Sequence, residues 1–186
     1  MAQRVVFLDR DGVLNRAFPD GGTTRPPAGV AELELLPGVP DALARLRAAG
    51  FALVVVTNQP DVARGKQTRE AVEEINAKMT ADLPLLDVFA CYHDSADGCA
   101  CRKPKPGLLL AAAAKWDLDL PTAFLIGDRW SDVVAAHAAG CRAALIDTPF
   151  GDPERCSPDH TAAGIAGAVD WILTTAAAEV AGPSAA

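Results

Sequence analysis

Two acids and a glycine stand near the start of the chain, where Val5-Val6-Phe7-Leu8 runs into Asp9-Arg10-Asp11-Gly12. An apolar run of strand length that ends in carboxylates spaced i, i+2 places both at one strand end, and ligands of open α/β sheets bind beyond such ends. Beside a divalent cation, two acids so placed can divide the work of phosphoryl transfer. One attacks phosphorus, while the other gives a proton to the leaving oxygen and later takes one from water. The same four residues would also suit a plain solvated turn, so the rest of the chain must decide.

Three other clusters bear on that choice. Thr57-Asn58-Gln59 closes the apolar run 51–56, and there a hydroxyl and free backbone N–H groups can hold phosphate oxygens. Gly127-Asp128-Arg129-Trp130-Ser131-Asp132 follows the apolar run 123–126. Between them, Cys91-x-His93 and Cys99-x-Cys101 enclose five residues and lead directly into Arg102-Lys103. Three thiols and an imidazole are the ligands zinc prefers, and four protein ligands leave no open position, so the metal would be structural. The alternative is three free thiols beside a surface histidine. If zinc is bound, it stiffens the loop that aims Arg102 and Lys103. Cys141 and Cys156 read as packing or surface residues, and His137 and His160 as a helix-face and a loop histidine.

The elements needed to position these groups can be read from periodicity and punctuation. Strands are expected at 5–8, 51–56, 85–92, 123–126 and 142–146, and helices at 39–49, 69–82, 106–115, 130–139 and 162–175. Residues 16–37, rich in Gly and Pro, form too long a connection to be ordinary and are expected to be a functional loop near the site. A loop is expected over 147–160. Alternating strands and helices imply a doubly wound, Rossmann-like parallel sheet, and then every polar cluster lies at the carboxyl end of a strand. Solvated turns have no reason to share one rim.

The chain has 186 residues, half of them apolar, which suits one α/β domain over 1–178 with a frayed Ala-rich tail at 179–186. A net charge of -7 argues against a nucleic-acid or anionic-membrane surface. No run of 18 apolar residues is present and the N-terminus enters a strand without a leader pattern, so a soluble, cytoplasmic protein is expected; the chain is also expected to be a monomer. Five cysteines, three of them crowded into 91–101, fit metal binding in a reducing compartment better than a disulfide framework.

Taken together, these residues resemble the haloacid dehalogenase superfamily of phosphatases. Asp9-x-Asp11-Gly12 matches its first motif, Thr57-Asn58 its second, Lys103 its third and Gly127-Asp128-x-x-x-Asp132 its fourth. FLDRDGVLN, VVVTNQ, ARGK and CRKPKPG are similar to the subgroup without a large cap domain that holds heptose bisphosphate and histidinol-phosphate phosphatases. ARGK and PKPG favour the heptose side. The resemblance implies Asp9 as nucleophile and Asp11 as general acid, then base. It implies Mg²⁺ on the carboxylates of Asp9 and Asp128 and the backbone carbonyl of Asp11, with Asp132 orienting the site from behind. Thr57, Asn58 and Gln59 would bind phosphate or substrate, Lys103 would offset charge, and Arg102 and Arg129 would meet oxygens of a small phosphorylated sugar.

Some features depart from that pattern. Pro60-Asp61 stands where the subgroup carries Ser or Asp and then Gly, which removes a hydroxyl and a backbone donor. Phe18-Pro19-Asp20-Gly21-Gly22 lacks a Gly-Tyr element expected for heptose binding, and the short zinc spacing is that of the histidinol-phosphate relatives. Histidinol phosphate or another small sugar phosphate is therefore the alternative substrate. Asp11 discriminates against a phosphorelay receiver, whose phosphoacceptor lies at a later strand and which has no second acid two residues on. A zinc-hairpin interaction module would leave the acids of the first and fourth motifs idle.

Overall fold

Val5–Leu8 is apolar at every position because it is covered on both faces, as a central parallel strand must be. It forms β1, paired with β4 (Ala52–Asn58) on one side and β6 (Phe124–Gly127) on the other. In the computed structural model, which describes residues 2–181, the sheet has six parallel strands in the order β5, β4, β1, β6, β7, β8. Here β5 is Asp87–Cys91, β7 is Arg142–Ile146 and β8 is His160–Ala162.

Side-chain alternation divides the core in two. Val6 and Leu8 face α1 (Val39–Ala48), α2 (Arg69–Asp82) and α5 (Ile165–Ala181), whereas Val5 and Phe7 face α3 (Gly107–Trp116) and α4 (Trp130–Ala138). Thr68 caps α2 by accepting the Ala71 N–H at 3.2 Å. Val72, Ile75 and Met79 are its buried stripe, as their spacing requires, but Asn76 is buried among them.

The doubly wound sheet is as expected, and three local features differ from the reading of the sequence. The 16–37 segment contains a β-hairpin, Phe18–Asp20 with Thr23–Arg25 (β2 and β3), turned by Gly21 and Gly22 at φ 53° and 86°. Positive φ at both turn residues suits the hairpin twist, so glycines that read as loop are the hairpin's signal. The 147–160 loop ends in the sixth strand, β8, whose three residues His-Thr-Ala are too few and too polar to announce an edge strand. The last helix begins at Ile165 and continues to Ala181, beyond the expected end at 175. Residues 182–186 of the expected tail lie outside the described residues. No described helix is long and apolar enough to cross a membrane.

Candidate active site

The strand ends of β1, β4 and β6 are neighbours in the sheet, so the clusters read from sequence meet at one cleft of about 480 Å³. Asp9, Asp11, Thr57, Asn58, Arg102, Lys103, Asp128, Arg129 and Asp132 line it. At its floor, one carboxylate oxygen from each of Asp9, Asp128 and Asp132 lies within 4.8 Å of the others, and all three residues are buried. Two glycines permit this crowding. A Cβ on Gly12 would stand 2.3 Å from Asp128 Oδ2, and one on Gly127 would stand 2.2 Å from the Asp132 Cβ.

Lys103 holds two of the acids. Its ammonium, only 3% exposed, is 2.8 Å from Asp9 Oδ1, 2.6 Å from Asp132 Oδ1 and 2.7 Å from the Val56 carbonyl. Burial alone would lower its pKa, but the charges of Asp132 and Asp9 more than offset this and hold it protonated. Asp9 shows the opposite balance. Its burial outweighs the attraction of Lys103, and Asp132 and Asp11 add repulsion, so it is raised to about 6. Asp128 is also pushed well up, first by burial and then by Asp9 and Asp132.

This is a donor set that fits a hard divalent cation. The Asp128 Oδ1 atom is buried without a hydrogen-bond partner among the described residues. Asp132, by contrast, spends Oδ2 on the Arg129 N–H at 3.0 Å and turns Oδ1 to Lys103. Asp9 and Asp128 are therefore the acids with charge left to share.

Asp11 is held from several sides. Asn15 Nδ2 donates to its Oδ1 at 2.9 Å, Gln59 Nε2 to its Oδ2 at 2.7 Å, and Arg10 Nη2 to the same Oδ2 at 3.1 Å. Gln59 thus departs from expectation. Its side chain is 1% exposed, its Nε2 also donates to Thr57 Oγ1 at 2.9 Å, and it does not line the cleft. It braces Asp11 and Thr57 from within, because a buried amide next to an acid finds its partners in the protein.

Other expected contacts are also redirected. Asn58 lines the cleft, but its amide grips the Lys103 backbone, accepting its N–H at 3.1 Å and donating to its carbonyl at 3.0 Å. Arg129 is tied to the Thr24 hydroxyl at 2.7 Å and the Phe150 carbonyl at 3.2 Å, fastening the β2–β3 hairpin over the cleft. Arg102 donates to Ser95 Oγ at 3.3 Å and the His93 carbonyl at 3.4 Å, and Lys105 to the carbonyls of Gly98 at 2.9 Å and Cys99 at 2.6 Å. Among the described residues these two cleft cations donate hydrogen bonds only to neutral groups, with the Asp94 carboxylate near enough to feel the charge of Arg102. Where the chain carries Pro60-Asp61, Asp61 instead braces the turn, its carbonyl accepting the Lys66 N–H at 2.8 Å and its carboxylate facing Arg64 at 3.4 Å.

The Cys91, His93, Cys99 and Cys101 ligand atoms lie within 4.8 Å of one another. Cys91 and Cys101 Sγ are 3.2 Å apart, Cys99 is 3.7 and 3.5 Å from them, and His93 Nδ1 is 3.6 and 3.3 Å from Cys91 and Cys101. A tetrahedron with metal–sulfur bonds of about 2.3 Å has edges of about 3.8 Å, close to this spacing. The residues fit a four-coordinate zinc.

The comparisons agree with this geometry. The HAD-hydrolase-like family model matches residues 100–170. A D-glycero-D-manno-heptose-1,7-bisphosphate 7-phosphatase of Thermosynechococcus vestitus is 34% identical over 197 residues, covering 94% of this chain and 97% of that protein. The chain belongs to the haloacid dehalogenase-like hydrolases. A D-glycero-beta-D-manno-heptose-1,7-bisphosphate 7-phosphatase of Bordetella bronchiseptica is 37% identical over 153 residues, covering 80% of this chain and 83% of that one. The crystal structure of D,D-heptose 1.7-bisphosphate phosphatase from B. bronchiseptica, complexed with magnesium and phosphate, superposes with a TM-score of 0.78. It is 31% identical and covers 93% of this chain and 99% of that one. The chain thus shares the fold of a hydrolase family along nearly its whole length.

The raised acids have a consequence that can be measured. A carboxyl whose folded pKa is raised contributes stability below its unfolded pKa and loses it as pH rises through the folded value, so metal-free protein should lose the Asp9 contribution between about 4 and about 6. A divalent cation relieves that loss. The rise in Tm on adding Mg²⁺ should therefore be larger at about pH 7.5 than at about pH 5. An equal rise at both would contradict the assignment of the buried acids to a cation site.

Proposed function

We propose that the chain is a Mg²⁺-dependent phosphomonoesterase that works through an aspartyl phosphate on Asp9 and removes the 7-phosphate of D-glycero-D-manno-heptose 1,7-bisphosphate. The observation that carries the chemistry is the buried Asp9 carboxylate, fixed at 2.8 Å by Lys103, with Asp11 two residues on at the same cleft. An Asp9 oxygen attacks phosphorus, the bond from phosphorus to the sugar oxygen breaks, and that oxygen takes the proton of Asp11. Asp11, now ionised, takes a proton from water as the water oxygen attacks the same phosphorus. The bond from Asp9 to phosphorus breaks, and inorganic phosphate and the Asp9 carboxylate are released.

The other residues hold and neutralise. Lys103 offsets the charge that gathers on the phosphoryl oxygens and on Asp9, and Thr57 with the backbone of Asn58 grips those oxygens. The carboxylates of Asp9 and Asp128 and the backbone carbonyl of Asp11 would hold Mg²⁺, with Asp132 fixing Lys103 from behind. When bound, the cation lowers the repulsion between an anionic nucleophile and an anionic ester.

The substrate assignment is supported by the relatives' names and by Arg102 and Lys105. Two cleft cations that form no ion pair among the described residues can meet a second phosphate, which a monophosphate would leave unused. The test is phosphate release with Mg²⁺ from both anomers of heptose 1,7-bisphosphate, histidinol phosphate and common sugar phosphates, with Asp9→Asn as the blank. Selective turnover of the bisphosphate, abolished in the variant, is expected. Preference for histidinol phosphate would overturn the substrate, and undiminished turnover by Asp9→Asn would overturn the mechanism.

We further assign zinc to Cys91, His93, Cys99 and Cys101 as a structural ion. Arg102 and Lys103 follow Cys101 directly, so the ion fixes the loop that carries them. Chelating it, with Mg²⁺ resupplied in excess, should lower turnover at least about tenfold, since small misplacements of charged groups cost about that much or more. Unchanged turnover by zinc-free protein would contradict the positioning role.

A further inference from the structure

Arg10 is completely buried although it lies between two acids of an open cleft. A guanidinium cannot shed its charge, so this position needs an explanation that packing does not give. Its backbone carbonyl closes the turn after β1, accepting the N–H groups of Leu14 at 2.8 Å and Asn15 at 3.1 Å. Its side chain points away from the cleft. Nη2 and Nε approach the Asp11 carboxylate at 3.1 to 3.4 Å, and Nη1 donates to Asn76 Oδ1 at 2.8 Å. Asn76 is on α2, 66 residues away, and interrupts the apolar stripe of Val72, Ile75 and Met79.

We propose that Arg10 and Asn76 are a positioning pair that fixes the acid–base carboxylate of Asp11. The proposal rests on the phosphatase reading above and extends it to a residue on the helical layer. Asn76 supplies an acceptor where a leucine would pack better, and it orients the fork of Arg10. The fork in turn fixes the plane of the Asp11 carboxyl, with Asn15 and Gln59 completing the cage from the other sides. Without Asn76, a buried N–H loses its acceptor and the fork must turn to find another, taking Asp11 with it. The effect should fall on proton transfer and leave substrate binding alone.

Leaving-group chemistry separates this role from a loss of structure. An alkyl phosphate needs the proton of Asp11 to release its alcohol, whereas p-nitrophenyl phosphate expels a stable phenolate without it. In Asn76→Leu, kcat for the alkyl phosphate turned over fastest by wild type should fall at least about tenfold with KM within about twofold. Single-turnover release of nitrophenolate should stay within about twofold of wild type. Arg10→Lys, which keeps the charge but loses the fork, should show the same split and serves if Asn76→Leu does not fold. Equal losses with both esters, a change confined to KM, or no loss in either variant would overturn the proposal. A wild type that cleaves neither ester would overturn the phosphatase reading and this proposal with it, which distinguishes that failure from one confined to the variants.

Discussion

An ammonium group stays charged inside a protein only where anions surround it, and Lys103 has two, Asp9 at 2.8 Å and Asp132 at 2.6 Å. Asp9 follows β1, Asp132 lies in the first turn of α4 beyond β6, and Lys103 itself comes from the loop beyond the cysteines. The three groups can meet only if β1, β6 and that loop are fixed relative to one another. Removing one member of such a buried set costs about 3–5 kcal/mol, because the remaining charge is left without compensation. Much of the surrounding structure can be read as what keeps these charges together.

The loop is fixed from both ends. Asn58 bonds to both polar groups of the Lys103 backbone, which ties it to β4, while the four metal-type ligands gather the loop before it. Arg64 adds a bidentate contact to Asp94 at 2.9 and 2.8 Å, joining the turn after β4 to the same loop. On the opposite wall, Arg129 anchors the small hairpin through Thr24. Side chains that the motifs suggest should face a substrate are in several cases fastening the elements that present the neighbouring ones. Burial also raises Asp9 and Asp128, so the acids proposed to hold a cation are ones whose charge a cation would stabilise.

The sheet was legible because its signals are strong. Continuous apolar runs such as 51–56 can be little else than strands covered on both faces, and acids at their ends mark the rim. The cysteine and histidine spacing likewise announced its own cluster. The β2–β3 hairpin and β8 were not legible, since strands of three residues carry too little alternation to stand out from a loop. Gln59 reads as a substrate contact because it adjoins Thr57-Asn58, but it lies just past the end of β4 and its buried amide turns to Asp11 and Thr57. Arg10 and Asn76 gave a weaker signal, namely a charged residue between two motif acids and an amide in an apolar stripe. Their pairing depends on how α2 packs on the sheet, which local sequence does not encode.

In the proposed mechanism Asp9 is the group that takes the phosphoryl. This role is tested most directly by mixing enzyme, Mg²⁺ and a turned-over phosphate ester, quenching within a single turnover and reducing with borohydride, which converts an acyl phosphate to an alcohol. Peptide mass analysis should then find homoserine at position 9, and only when substrate was present. Conversion at another carboxyl, such as Asp128, or none at any carboxyl while phosphate is released, would contradict the account.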